Sequence, residues 1–356
     1  MPHIDQKPAT CPPSAVMSTW RRRLAGALLG VTLSACGGGG GGGSGSPPAA
    51  SPAPVSTPAP APLAGACLPA TRTLVPPTLG LGVHPPFDAT FWRAIDDLGV
   101  KWLRVDLYWD RIEPIRGQAN WSAYEQFITE AQQRQVQVLF IINHPPAWAH
   151  ADAAQFPALA QAFAREAGQW AQRRVAAWEA FNEPNLSGYG WPFRGLSAAE
   201  SATLYADTAA AVNAGLRASG DPAPVIAGAI SPSGHEPMAF IEAVFARLPA
   251  ACFDAISIHP YGGEGRLPEI RQAVRQQMQR LQARNVPVWI TEYGSDNPAD
   301  HERLLADALA QPGPAEPFFW FALRDFNVSE RYGLFDLQGQ PRPVYSRFKQ
   351  AARAVP

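Results

Sequence analysis

Glu183 and Glu292 each close an apolar, strand-like stretch, in Trp178–Asn185 and Val288–Ser295, and turn-prone residues follow each of them at once. Such placement presents two acids at the carboxyl ends of two separate strands. Two carboxyl groups so held can divide a displacement between them. One protonates a leaving oxygen, while the other attacks the carbon or activates water. That division suits cleavage of a glycosidic bond. An Asn-Glu-Pro triplet alone is a weak signal, and a lone loop Glu is ordinarily a solvated acid. The weight lies in both motifs together, in this order, within a fitting strand pattern.

Other groups sit at predicted strand ends. His84, His144 and His259 would ring the mouth of one pocket. By ligand type they could hold a metal. Their spacing offers no helix-borne pair, however, and the acids already account for the chemistry, so no metal and no cofactor is expected. His144 and His259 fit better as hydrogen-bond partners for sugar hydroxyls. The chain has 11 Trp. Most must pack in a core, and the rest can be platforms, because the CH faces of sugars pack on aromatic rings. Trp109, Trp148, Tyr189 and Trp191 fall on predicted loops, where they could line subsites. Trp320, near the last strand's end, is either the floor under the sugar being cleaved or part of the core.

These residues need a scaffold. From 71 to 356, apolar runs alternate with amphipathic helices. The expected strands are Gly80–His84, Trp102–Leu107, Val136–Ile142, Ala177–Phe181, Val225–Ala229, Ala255–His259, Val288–Thr291 and Phe318–Ala322. The fourth, fifth and seventh are nearly continuous apolar runs, as parallel strands covered on both faces require. Ser122–Glu125 and Ser197–Glu200 read as capping boxes, and Gly99 and Gly220 fall where helix C-caps are expected. The class is α/β, and the pattern predicts a (β/α)8 TIM barrel as a single catalytic domain. Its active groups would stand on the carboxyl-end loops. A doubly wound open sheet is the alternative, but no Gly-rich nucleotide loop follows an early strand.

The chain ahead of this domain differs in kind. Arg21–Arg23 precedes an apolar run from Leu24 to Leu33 and then Ser34-Ala35-Cys36. That order describes a secretory signal, and the run is too short to span a bilayer. Leu33–Cys36 further resembles a bacterial lipobox, which would make Cys36 a lipidation site and 1–36 the signal. Translation would start at Met17, or the first sixteen residues would lengthen the charged region. Gly37 in place of Asp favours the outer membrane by the same resemblance. Residues 37–70, with Gly37–Gly43 and then Ser, Pro and Ala, read as a linker that cannot bury a core. The expected location is the cell envelope, lipid-anchored, or else secreted or periplasmic. Cys67 and Cys252 precede the first and sixth strands, on the same amino-terminal face, and could form a disulfide or remain thiols. A net charge of -1 leaves no basic field for nucleic acid and no polybasic membrane patch.

With these residues in place, the chain resembles a retaining β-glycosidase barrel of the large clan that carries its acid/base after strand four and its nucleophile after strand seven. It is most similar to glycoside hydrolase family 39, including bacterial exopolysaccharide endoglycosidases, and next to family 5. The resemblance covers nearly the whole barrel. It rests on Asn182-Glu183-Pro184, Thr291-Glu292-Tyr293-Gly294, Ser257–Gly262, Arg104 and Tyr332–Asp336. It implies Glu183 as acid/base and Glu292 as nucleophile. It further implies that Asn182 binds the sugar 2-hydroxyl and that Tyr261 donates to Glu292. Arg104 would keep Glu292 charged, or would form a structural ion pair with an acid such as Asp106. The sequence after the barrel resembles no separate family 39 β-sandwich, which favours an endo-acting enzyme on a β-linked polysaccharide over an exo-β-glycosidase. A monomer is expected. A non-catalytic sugar-binding lipoprotein is the competing class, but such relatives usually lose one carboxylate.

Overall fold

The computed structural model describes residues 70, 72, 79–248, 252–262, 266–281, 286–310 and 317–354. The expected signal with Cys36, linker residues 37–69 and Cys67 lie outside the described residues. Among the described residues, no helix is long and apolar enough to cross a membrane.

Strands β1 (Gly80–Val83), β2 (Trp102–Tyr108), β3 (Gln137–Asn143), β4 (Ala177–Ala180), β5 (Val225–Ile230), β6 (Ala255–Ile258), β7 (Val288–Tyr293) and β8 (Phe318–Trp320) pair in parallel and close in chain order. This is the expected (β/α)8 barrel, with every predicted strand present. Cys252, just ahead of β6, is buried and disulfide-bonded.

Local chemistry sets the helices between the strands. Helix α1 (Ala89–Leu98) ends at Gly99, whose φ of 71° lets its N–H reach the Ile95 carbonyl. The Ser197 capping box forms at the start of the helix Ala198–Ala218. The box expected at Ser122 does not. The helix there begins at Ser122 itself (Ser122–Gln133), and Asn120 accepts from the Ser122 N–H. Glu125 instead accepts from both terminal guanidinium nitrogens of Arg174, at 2.6 and 2.8 Å. Two charge-assisted bonds outcompete one cap, and they tie that helix to the segment entering β4.

The lumen is filled in layers drawn from alternate strands. At the bottom, Trp102, Ala177, Ala255 and Phe319 come from the even-numbered strands. With Leu139, Ile226 and Trp289 they form an apolar cluster separate from the core beneath the helices. A Cβ on Gly80 would lie 2.4 Å from the Phe319 ring, so a glycine there makes room for this plug. Side chains two residues further along a strand return to the same face. The next layer on the even strands is therefore Arg104, Glu179, Ser257 and Phe321. An apolar plug thus supports a layer that holds charge.

Candidate active site

Arg104 and Glu179 are 3% and 0% exposed. Buried charges must be paired, and these are. Arg104 Nε donates to Glu179 Oε2 at 2.6 Å, Nη1 to Glu292 Oε1 at 2.5 Å, and Nη2 to Asn182 Oδ1 at 2.8 Å. Arg104 therefore touches the predicted nucleophile and also has a structural partner, but that partner is Glu179 and not Asp106. Asp106 accepts from Asn143 Nδ2 at 2.7 Å.

Glu292 and Glu183 reach the pocket through departures from regular strand geometry. Trp289 and Thr291 face the lumen, so strict alternation would turn Glu292 outward. The register between β7 and β8 shifts between Ile290 and Tyr293, and that irregularity re-aims it. At the end of β4, Phe181 and Glu183 take φ of 61° and 46°, where non-glycine residues are uncommon. The Phe181 ring packs outward against Phe156 and Trp191, while Asn182 and Glu183 face inward. Beside them a Cβ on Gly190 would lie 1.9 Å from Asn143 Oδ1, so only glycine lets this loop close on the site.

Glu292 Oε2 accepts from the Tyr261 hydroxyl at 2.8 Å. Glu183 Oε1 lies 3.0 Å from His259 Nδ1. One carboxylate oxygen from each glutamate and one His259 ring nitrogen all lie within 4.8 Å of one another. Carboxyl groups about 5–5.5 Å apart suit direct attack, and about 6.5–9.5 Å would be needed to admit a water between them.

The surroundings separate the two acids. Burial, then the Glu292 charge, push Glu183 up to about 8. Burial also lifts Glu292, but the Arg104 guanidinium and the Tyr261 hydroxyl oppose that rise by holding its anion. Of the pair, Glu292 loses its proton first and Glu183 keeps its own. Burial holds Tyr261 well above its ordinary range, so it remains a donor. Burial likewise holds His259 well below its ordinary range, leaving it a neutral imidazole; at 0% exposure, with its nitrogens against Glu183 and Thr291, it does not reach sugar hydroxyls as expected.

His84 and His144 flank Asp106 on the opposite wall. Nδ1 of His84 is 3.7 Å from Asp106 Oδ2, and Nε2 of His144 is 4.0 Å from Oδ1. Burial lowers His84 to about 4, so its ring stays neutral, and neither ring nitrogen is exposed to a substrate hydroxyl. His144 stacks on Tyr108 at 4.6 Å.

Three of the predicted platforms are corrected. Trp109, Trp191 and Trp320 are each 0% exposed and offer no face to a sugar. Trp109 stacks on Phe163 and donates to Glu113. Trp191 is enclosed by Phe156, Phe181 and Phe193. Trp320 has the wrong parity: Phe319 faces the lumen, so Trp320 packs outward beside His301. The lumen-facing residue at the end of β8 is Phe321, half-buried between His84 and Tyr332 and stacked on Phe326 at 5.5 Å. Trp148 is half-buried and Tyr189 is 47% exposed, so both keep a face. We expect Phe321→Ala to lower kcat/KM about tenfold through lost stacking. Trp320→Ala should instead cost about 3–5 kcal/mol of stability. Kinetics and denaturant unfolding of the two variants separate these outcomes.

Together the barrel and the facing carboxylates define a (β/α)8 glycoside hydrolase. The chain belongs to the cellulase family, glycosyl hydrolase family 5, whose model matches residues 80–316. No curated protein sequence matches it. Among solved structures it resembles a family 39 glycoside hydrolase from the gut symbiont Bacteroides cellulosilyticus WH2. The TM-score is 0.61 and the identity 22%, over 79% of this chain and 64% of that one. It also resembles an exo-β-1,4-mannosidase from Opitutaceae bacterium strain TAV5, at TM-score 0.56 and 15% identity, over 79% of this chain and 59% of that one. GH5_18 from Streptomyces cattleya, solved with GlcNAc, matches at TM-score 0.57 and 16% identity, covering 79% and 80% of the respective chains. The chain thus spans less than two thirds of the first two neighbours. At these identities the likeness is one of fold.

Proposed function

We propose that the protein is a retaining β-glycosidase that cleaves a β-linked polysaccharide internally at the cell envelope. The observation that carries this reading is the pair of buried acids with oxygens within 4.8 Å, one bound to Arg104 and the other to His259. In the first step Glu292 attacks the anomeric carbon as the bond to the leaving oxygen breaks, and Glu183 gives that oxygen its proton. In the second, Glu183 takes a proton from water, and the water oxygen displaces Glu292 from the carbon. Asn182 Nδ2 donates to the Tyr189 carbonyl at 3.2 Å, and its second amide proton is suited to the sugar 2-hydroxyl. An oxygen of a bound sugar is suited to His144, whose side chain is partly exposed.

Support for internal cleavage comes from rings on three loops. Trp148 follows β3, Tyr189 follows β4, and Phe326, 42% exposed, follows β8. Such a spread favours several sugar units over one. Chromatography of early products tests this. Mixed oligosaccharides are expected, whereas monosaccharide alone from the first minutes would reject internal cleavage. The envelope location rests on Cys36. Its test is mass spectrometry of the mature protein, where a diacyl or triacyl mass on a chain beginning at Cys36 is expected and an unmodified chain contradicts the location.

A further inference from the structure

Glu179 lies below the two catalytic glutamates and is bonded toward both. One arm runs through Arg104 to Glu292, as described above. The other runs through Thr291: its hydroxyl donates to Glu179 Oε1 at 3.0 Å, and His259 Nε2 lies 3.1 Å from Thr291 Oγ1. Ser257 also donates to Glu179 Oε1. All of Glu179, Ser257, His259 and Thr291 are 0% exposed, so each proton must be placed within the protein.

The hydrogen-bond inventory leaves one consistent assignment. Glu179, paired with a guanidinium, is a carboxylate and can only accept. Two oxygens 3.0 Å apart need a proton between them, so Thr291 directs its single proton to Glu179. Its oxygen can then only accept from His259, so Nε2 carries the imidazole proton. Nδ1 is left with a lone pair, 3.0 Å from Glu183 Oε1 and 3.5 Å from Glu292 Oε2. The contact with Glu183 is a hydrogen bond only when Glu183 is the donor.

We propose that Glu179 and Thr291 are positioning residues that lock His259 in its Nε2–H form, and that this lock keeps the proton on Glu183. The proposal rests on Glu183 being the acid/base. It gives that residue help in both steps. Before cleavage, the lone pair at Nδ1 orients the Glu183 proton. After cleavage, the same lone pair faces the Glu183 anion and makes it a stronger base toward water. Other groups facing Glu183 are Glu292, Arg104, Tyr189, Tyr261 and the Ser231 hydroxyl, which bonds to its carboxyl. The Glu292 charge acts in the same direction as the lock, and the Ser231 hydrogen bond and Arg104 act against it.

The lock itself is tested without substrate. In protein carrying 15N-histidine, with His259 assigned by difference from His259→Gln, the proton is expected on Nε2. In Thr291→Val the Nε2 acceptor is gone, and the proton should move to Nδ1 and donate to Glu183. The 13C titration midpoint of the Glu183 carboxyl should then fall by about one unit, and Thr291→Ser should restore it. A purely packing role for Thr291 would move neither signal. A proton on Nδ1 in the unsubstituted protein, or an unchanged Glu183 midpoint in folded Thr291→Val, overturns the lock. Full activity in Glu183→Gln with the Nε2 proton in place would instead remove the acid/base role and leave the lock standing.

Discussion

Glu292→Gln should lose about 10⁴-fold or more in kcat, and Glu183→Gln about 10²–10⁴-fold on substrates with poor leaving groups. The first change removes the atom that attacks, and the second removes a proton donor without changing the shape of the side chain. Neither should unfold the barrel. Glu183→Gln should even be stabilising near neutral pH. Between the ordinary carboxylate range and about pH 8, Glu183 is ionised in the unfolded chain but protonated in the folded one. Folding therefore takes up a proton, and stability falls as pH rises through that window. Glutamine removes this dependence. Steady-state kinetics and thermal unfolding at two pH values check both halves. Near-normal kcat in either folded variant would dismiss the assigned roles.

Arg104→Met should weaken the fold and the chemistry together. It leaves Glu179, 0% exposed, without its cation. Breaking one side of a buried pair costs about 3–5 kcal/mol. It also strips Glu292 of the charge that holds its anion, so the acid limb of the pH–rate profile should move to higher pH. Arg104→Met combined with Glu179→Leu should recover part of the stability, because Glu179 is then no longer stranded although Glu292 still lacks its cation, but none of the activity. Denaturant unfolding separates the two effects. A double variant as unstable as the single one would show that the cost lies in packing and not in the stranded charge.

Much of this was legible in the chain. Eight apolar runs gave the barrel, because parallel strands are buried on both faces and keep no polar alternation to confuse the reading. The motifs around Glu183 and Glu292 placed both acids at strand ends. Trp320 failed on a single residue of parity, which sequence alone does not fix when every strand position is apolar. Trp109 and Trp191 failed because an aromatic beyond a strand end can turn onto the surrounding helices, as both do against Phe156. Glu179 was missed although a signal existed. It is a charge inside an apolar strand, as is Arg104, and two such charges of opposite sign are natural partners. The shift in β7 that turns Glu292 inward, and the left-handed turn at Glu183, left no mark that periodicity could detect.

If Glu292 attacks the sugar directly, the configuration at the anomeric carbon is kept. On whichever β-linked polysaccharide is cleaved, 1H NMR of the new reducing end during the first minutes tests it most directly. The β anomer should appear first, with α growing in later by mutarotation. An α anomer at the outset would mean that water, not Glu292, had attacked.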